Sequence, residues 1–227
     1  MLKNLLKLLF PTLCYGCNSL LLNNEKMLCA TCIHNLPYTN HHLLEMNHVK
    51  GKFYGIIDIQ FASSMLYFQN NGIVQRLIHQ LKYKGKQEIG TYLAENYALD
   101  LKDIDNKYKF DLIIPVPLHP KKIKKRGYNQ VETFCLTLSK ALQISYNSEI
   151  LFRKNNSKTQ TRKNKNERFE NTESFFDVIF DETFHGKHFL LVDDVITTGA
   201  TIESCVKALL KIPNAKVSVI TIAYTQS

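Results

Sequence analysis

The stretch HFLLVDDVITTGAT, residues 188–201, constrains this chain more than any other. Four apolar residues run straight into two adjacent carboxylates, Asp193 and Asp194, and then into residues that are mostly small, hydroxylated or glycine. An apolar face at Ile202, Val206 and Leu209 follows with helical spacing. The pattern predicts a buried strand over 188–193, a short loop and a helix over 199–211. A second apolar run, FDLIIPV at 110–116, is stopped by Pro115 and Pro117 and reads as another buried strand. Periodicity adds strand material with a turn at 56–68 and helices at 72–84, 90–102 and 129–142. Residues 150–172 read as polar and ragged, and 216–224 as a last strand. Apolar strands alternating with helices predict an α/β fold with a largely parallel sheet and flanking helices.

In such a sheet, ligands gather outside the carboxyl ends of the strands. Thr197, Thr198, Gly199, Ala200 and Thr201 fall there, at a helix start where free N–H groups and the positive dipole end favour an oxyanion. Glycine lets the backbone approach the anion, and the threonine hydroxyls add neutral donors. Two carboxylates suit vicinal hydroxyls and a shared Mg²⁺. A phosphate beside a diol describes a ribose 5-phosphate. A nucleotide-hydrolase strand ending in Asp-Asp requires an upstream GxxxxGK[ST] run, which the sequence lacks. A response-regulator acid pocket would need the acidic pair earlier in the chain. A strand followed by a capped helix accounts for the threonines but not for the paired carboxylates.

The cysteines form two CxxC pairs, Cys14/Cys17 and Cys29/Cys32, eleven residues apart. Four thiolates complete a tetrahedral Zn²⁺ shell with no open position, so the metal is expected to be structural. It would hold an N-terminal unit, residues 1–50, too small for a core of its own. The polar stretch 38–52 marks the expected boundary with a second unit, 51–227. Disulfides are disfavoured in a lysine-rich chain without a secretion signal. Cys135 and Cys205 read as small buried hydrophobes, and His34, His41, His42 and His48 as surface residues.

With 227 residues, 44% of them hydrophobic, the chain can bury a real core. The formal charge is +9, and residues 121–168 hold the excess, thirteen Lys and Arg against three Asp and Glu. A polyanion is the expected partner. The opening MLKNLLKLLF is broken by Lys3 and Lys7 and reads as an amphipathic helix rather than a cleaved signal. No apolar run reaches membrane-spanning length, so the expectation is a cytoplasmic protein, the lesser alternative being a peripheral one held at the inner membrane by an amphipathic surface helix over residues 2–10.

LLVDDVITTGAT resembles the phosphoribosyl-pyrophosphate motif of type I phosphoribosyltransferases. The resemblance extends to the ComF family, associated with natural competence, through LLFPTLCYGC…CATC, LIHQLKYKGK (77–86), IIPVPLHPKKIKKRGYNQ (113–130) and KTQTRKNKNERFENTESFF (158–176). It implies that Asp193 and Asp194 are catalytic and face the ribose hydroxyls, and that Thr197, Thr198, Gly199, Ala200 and Thr201 hold the 5-phosphate. Val116, Pro117, Leu118 and His119 would form the pyrophosphate loop, and residues 153–168 a mobile flap. Lys121, Lys122, Lys124, Lys125, Arg126, Arg153, Lys158, Arg162 and Arg168 are the candidates for contact with pyrophosphate or nucleic acid. Such a site displaces pyrophosphate from C1 of the ribose, with Mg²⁺ and basic groups offsetting the leaving charge.

Two readings of different class follow. One is a competence protein that handles single-stranded DNA and binds phosphoribosyl pyrophosphate with Mg²⁺, the competence helicase being the partner that the resemblance brings. The other is a metabolic phosphoribosyltransferase acting on a small nucleophile that no residue pattern names. Whether the site turns its ligand over stays open at this point.

Overall fold

The computed structural model describes residues 11–154, 175–179 and 181–226. Five strands form one sheet in the order β1-β7-β6-β2-β3, every neighbouring pair parallel. They are β1 (Ala62–Phe68), β2 (Leu112–Pro115), β3 (Ser145–Tyr146), β6 (His188–Ile196) and β7 (Lys216–Thr225). Between β1 and β2 lie α3 (Ile73–Tyr83) and α4 (Glu88–Tyr108), and between β2 and β3 lie α5 (Pro120–Arg126) and α6 (Glu132–Leu142). Helix α7 (Ala200–Leu209) links β6 to β7. Two short helices precede the sheet, α1 (Ala30–His34) and α2 (His48–Gly51). A two-stranded antiparallel ribbon, β4 (Leu151–Arg153) with β5 (Phe176–Val178), packs on α7.

The strands are apolar on both sides because both sides are covered. Along β6, Leu190 and Val192 join the core shared with α3, α4 and α6, whereas Phe189 and Leu191 join the core beneath α7. This is the period-two alternation of a strand between two helical layers. The chain leaves β2 toward β3 and leaves β6 toward β7, in opposite directions across the sheet. The gap between the carboxyl ends of β2 and β6 is therefore the place where a crevice opens.

Several expectations need adjustment. The strand expected within 56–68 occupies only 62–68, and the helix expected at 90–102 runs over 88–108. The lysine-rich run after Pro117 forms α5, started by Pro120 at its first turn and closed by Gly127. The ribbon of β4 and β5 interrupts a region read as ragged, because three-residue strands leave too little periodicity to see. His41, expected at the surface, is fully buried against His48, Tyr67 and Tyr224. Burial and the neighbouring His48 push its pKa down to about 4, so the ring is neutral. The ends of β1 and β7 supply two of those aromatic walls, which no local pattern around His41 announces. Asn47 secures the same segment, accepting from Val49 N–H at 3.0 Å and donating to the Ala62 carbonyl at 2.8 Å. Among the described residues, no helix is long and apolar enough to cross a membrane.

Helices α4 and α6 meet closely at Gly90. A Cβ there would lie 2.4 Å from Thr133 Oγ1, whose hydroxyl donates to the Gln87 carbonyl at 2.9 Å. In a free helix interior Gly→Ala stabilises by about 1 kcal/mol. Here Gly90→Ala is expected to destabilise by about 1–3 kcal/mol, measured by urea unfolding, because the helices must separate or Thr133 must give up its bond.

Candidate functional site

The loop after β6 is shaped by Gly199, which precedes α7 at φ 90°, in the left-handed region that favours glycine. A Cβ at this position would also come within 3.1 Å of the Phe53 ring. The first N–H groups of a helix have no acceptor within it. In α7 the backbone ladder begins with Glu203 N–H to the Gly199 carbonyl at 2.8 Å, and before it Ala200 N–H reaches the Thr198 hydroxyl at 3.4 Å. A cavity of about 40 Å³ lies over this turn, lined by Asp193, Thr197, Thr198, Gly199, Ala200 and Thr201 among others. At about 10–15 Å³ per water, it has room for about three waters, the scale of one tetrahedral oxyanion. Thr197, Thr198 and Thr201 are exposed at its mouth. Donors, dipole and size together suit a phosphate group.

The two carboxylates diverge, as neighbours on a strand must. Asp193 lines the phosphate-sized cavity and accepts the Asp194 N–H at 2.8 Å. Desolvation, and then the charge of Asp194, push its pKa up to about 7, against the pull of Lys82 and Lys122. Asp194, only 5% exposed, turns to the opposite face. There it accepts from Lys82 Nζ at 2.9 Å and from the side-chain amide of Gln130. The expectation that both carboxylates present themselves to one diol thus meets an arrangement with one carboxylate in the cavity and the other paired beneath it.

Asp194 is the centre of a wider network. Arg126 donates to Gln130 and stacks its guanidinium 5.0 Å from the centre of the Tyr83 ring. Tyr128 donates to the Leu81 carbonyl, and Asn129 donates to the Val116 carbonyl at 3.1 Å. The stretches LKYKGK and RGYNQ therefore lock onto each other and onto β6. Lys82, Asn129 and Gln130 were not singled out from the sequence, because their roles depend on this juxtaposition.

The loop expected to hold pyrophosphate starts beside the acid pair, since Pro115 pairs with Val192 and Val116 N–H donates to the Val192 carbonyl at 2.8 Å. Val116 is buried, whereas Pro117, Leu118 and His119 are half-buried. His119 caps α5 by accepting the Lys121 N–H. Lys121, Lys122, Lys124 and Lys125 are exposed on α5, and Lys122 is the one whose charge acts on Asp193. Arg153 lies apart in β4, over the rings of Phe175 and Phe176 at 5.7 and 5.3 Å. Lys158, Arg162 and Arg168 lie outside the described residues, as does the 2–10 helix.

Cys14, Cys17, Cys29 and Cys32 converge, each able to offer a sulfur within 4.8 Å of the others. The Cys17 and Cys29 sulfurs are 3.7 Å apart, close to the edge of about 3.8 Å that a tetrahedron with 2.3 Å metal–sulfur bonds requires. Cys14 Sγ accepts N–H groups from Gly16 and Cys29 at 3.4 and 3.3 Å, the bonding that a thiolate favours. A hydrogen bond from Ser19 lowers the Cys17 thiol to about 6, whereas burial raises Cys32. All six cysteines are free of disulfides, and Cys135 and Cys205 are buried as expected. The cluster rests on α3. Arg76 donates to the Gly16 carbonyl, and Gln80 donates to the Tyr15 carbonyl at 2.7 Å.

No family model matches the chain. Among curated proteins, DNA utilization protein YhgH of Escherichia coli O157:H7 is 32% identical over 146 residues, 63% of this chain and 63% of its own length. Competence protein F of Haemophilus influenzae is 32% identical over 140 residues, 60% of this chain and 61% of its own. Competence protein ComFC of Bacillus subtilis is 26% identical over 204 residues, 87% of this chain and 78% of its own. The chain is thus similar to proteins named for competence and DNA utilization. The match to YhgH thus spans less than two thirds of that relative. Solved structures similar to this chain include a purine phosphoribosyltransferase from Pyrococcus horikoshii, with TM-score 0.37 and 16% identity over 60% of this chain and 84% of that one. Adenine phosphoribosyltransferase from Saccharomyces cerevisiae has TM-score 0.39 and 15% identity over 63% of this chain and 72% of its own.

Removing one partner of a desolvated ion pair strands the other charge. Lys82→Met is expected to destabilise by on the order of 2–3 kcal/mol, the lower part of the range for buried pairs because Lys82 is partly exposed. In an Asp194→Asn background the same change should cost less than about 1 kcal/mol. A double-mutant cycle of urea unfolding measures the difference.

Proposed function

We propose that this chain is a ComF-type protein that handles single-stranded DNA in natural competence and binds phosphoribosyl pyrophosphate with Mg²⁺ at the end of β6. The observation that carries the reading is the phosphate-sized cavity at the start of α7 with Asp193 in its wall. In this reading Thr197–Thr201 hold the 5-phosphate, Asp193 accepts a ribose hydroxyl, and Lys122 faces the diphosphate from α5. Mg²⁺ bound with the diphosphate supplies charge neutralisation. Asp194 acts through position, holding α3 and the RGYNQ stretch around the crevice. The names of the curated relatives support a role in competence and DNA use. The exposed lysines of α5 support contact with a polyanion. The competence helicase is the partner proposed for the cysteine-bearing lobe.

Calorimetric titration of phosphoribosyl pyrophosphate with Mg²⁺ tests the site. Saturable binding is expected in the wild type, weakened at least tenfold in Asp193→Asn/Asp194→Asn and in Gly199→Val, with folding checked by circular dichroism. Absence of binding by the folded wild type overturns the reading.

We propose Zn²⁺ as the ion of the four-cysteine cluster, in a structural role. Its donors are all sulfur, and their spacing fits a closed tetrahedral shell. One zinc per chain is expected by elemental analysis, with loss of the metal and a lowered Tm in Cys17→Ser or after chelation. A purified, folded chain whose cysteines hold no metal when zinc is supplied would count against it.

A further inference from the structure

Between the cysteine knuckle and α3 lies a second cavity, of about 630 Å³, within the usual ~300–1,000 Å³ range of ligand clefts. It lies outside the crevice at the carboxyl ends of the strands. Arg76, Lys84 and Lys86 are its cations, and Asn18, Gln75 and His79 add polar edges. Among the described residues no carboxylate lines it. Glu88, which is not among the lining residues, accepts the Tyr15 hydroxyl at 2.7 Å. Lys86 packs 5.3 Å over the Tyr15 ring and stands 3.9 Å from Glu88. Arg76 is held in place by the Gly16 and Asn71 carbonyls, so its charge is a fixed part of the wall. Lys84 and His79 are exposed.

The cavity continues into a basic surface. The His79 ring packs 5.1 Å from that of Tyr83, which is 56% exposed, and Arg126 covers Tyr83 on the side of α5. Lys124 and Lys125, next to Arg126 on α5, are exposed. Cations therefore run from the cysteine knuckle, along the end of α3, to α5, with two aromatic rings set among them. A closed anion pocket would surround one phosphate. An open path of spaced cations with ring faces is instead the arrangement that tracks a single-stranded backbone and stacks its bases.

We infer that this groove is the seat of single-stranded DNA, with Lys84 and Lys86 against phosphates and His79 offering a stacking face. The inference rests on the DNA-handling role proposed above and adds where the strand lies. It also gives the cysteine cluster a further task, because the knuckle that it organises is one wall of the groove.

The test is fluorescence anisotropy of a labelled oligothymidylate with the zinc-loaded full chain, titrated across a range of salt. Each lysine that meets a phosphate contributes about 0.7 to the slope of log affinity against log salt for a single strand. Lys84→Gln/Lys86→Gln is expected to lower that slope by about 1.4 and to weaken binding at least tenfold. His79→Ala, at an exposed position, is expected to weaken binding at least about fivefold with the slope unchanged, as loss of stacking requires. Because Lys86 also packs on Tyr15, Lys84→Gln alone serves as the second variant, with a slope change of about 0.7. Wild-type binding that is indifferent to all of these changes but lost in Lys124→Gln/Lys125→Gln overturns the groove and leaves the DNA-handling role standing. Absence of binding by the wild type at low salt overturns both.

Discussion

A carboxylate buried at the end of a parallel strand is tolerated only if other groups replace its water. Asp194 obtains them from Lys82 on α3 and from Gln130 just before α6. These partners are 112 and 64 residues away in the chain. One desolvated charge thus decides how α3, the RGYNQ stretch and β6 sit around the crevice. Arg126 extends the arrangement by holding Gln130 and covering Tyr83, and Tyr128 fixes the end of α3 through Leu81. The hydrophobic layers supply most of the stabilisation, but apolar packing is non-directional. The charged node supplies direction at the place where position matters.

Asp193 has the opposite fate. It shares the desolvated strand end, but its side chain turns into the phosphate-sized cavity. Its pKa is raised by burial and by the neighbouring charge. Two adjacent acids are therefore divided by the pleat of one strand into a buried anchor and a cavity-facing group. Gly199 completes the division of labour. Its positive φ and the nearby Phe53 ring leave no room for a side chain, and the turn opens the first N–H groups of α7 to an anion.

Helix α3 joins the parts that function must combine. One of its faces supports the cysteine knuckle through Arg76 and Gln80, its end carries Lys82 to Asp194, and its exposed side lines the basic groove. Cys14, Leu28 and Cys32 belong to the same apolar core as Leu77 and Leu81 of this helix. A metal ion at the cysteines would therefore stabilise a surface continuous with the main sheet.

Much of this was legible in the chain itself. Apolar runs at 110–116 and 188–193 announced buried parallel strands because a strand covered on both faces must be apolar throughout. ITTGAT announced a helix start able to hold an anion, and two CxxC pairs announced four converging sulfurs, since both depend on residues close in sequence. Tertiary structure alone decided that Asp193 and Asp194 part company, that Lys82 and Gln130 meet at Asp194, and that Phe53 closes over Gly199. It also buried His41, among rings supplied by β1, β7 and the His48 helix. The physical reason is the range of the information. Periodicity and ligand spacing report on neighbours along the chain, whereas the environment of a charge or a ring is set by whatever segments the sheet order brings beside it.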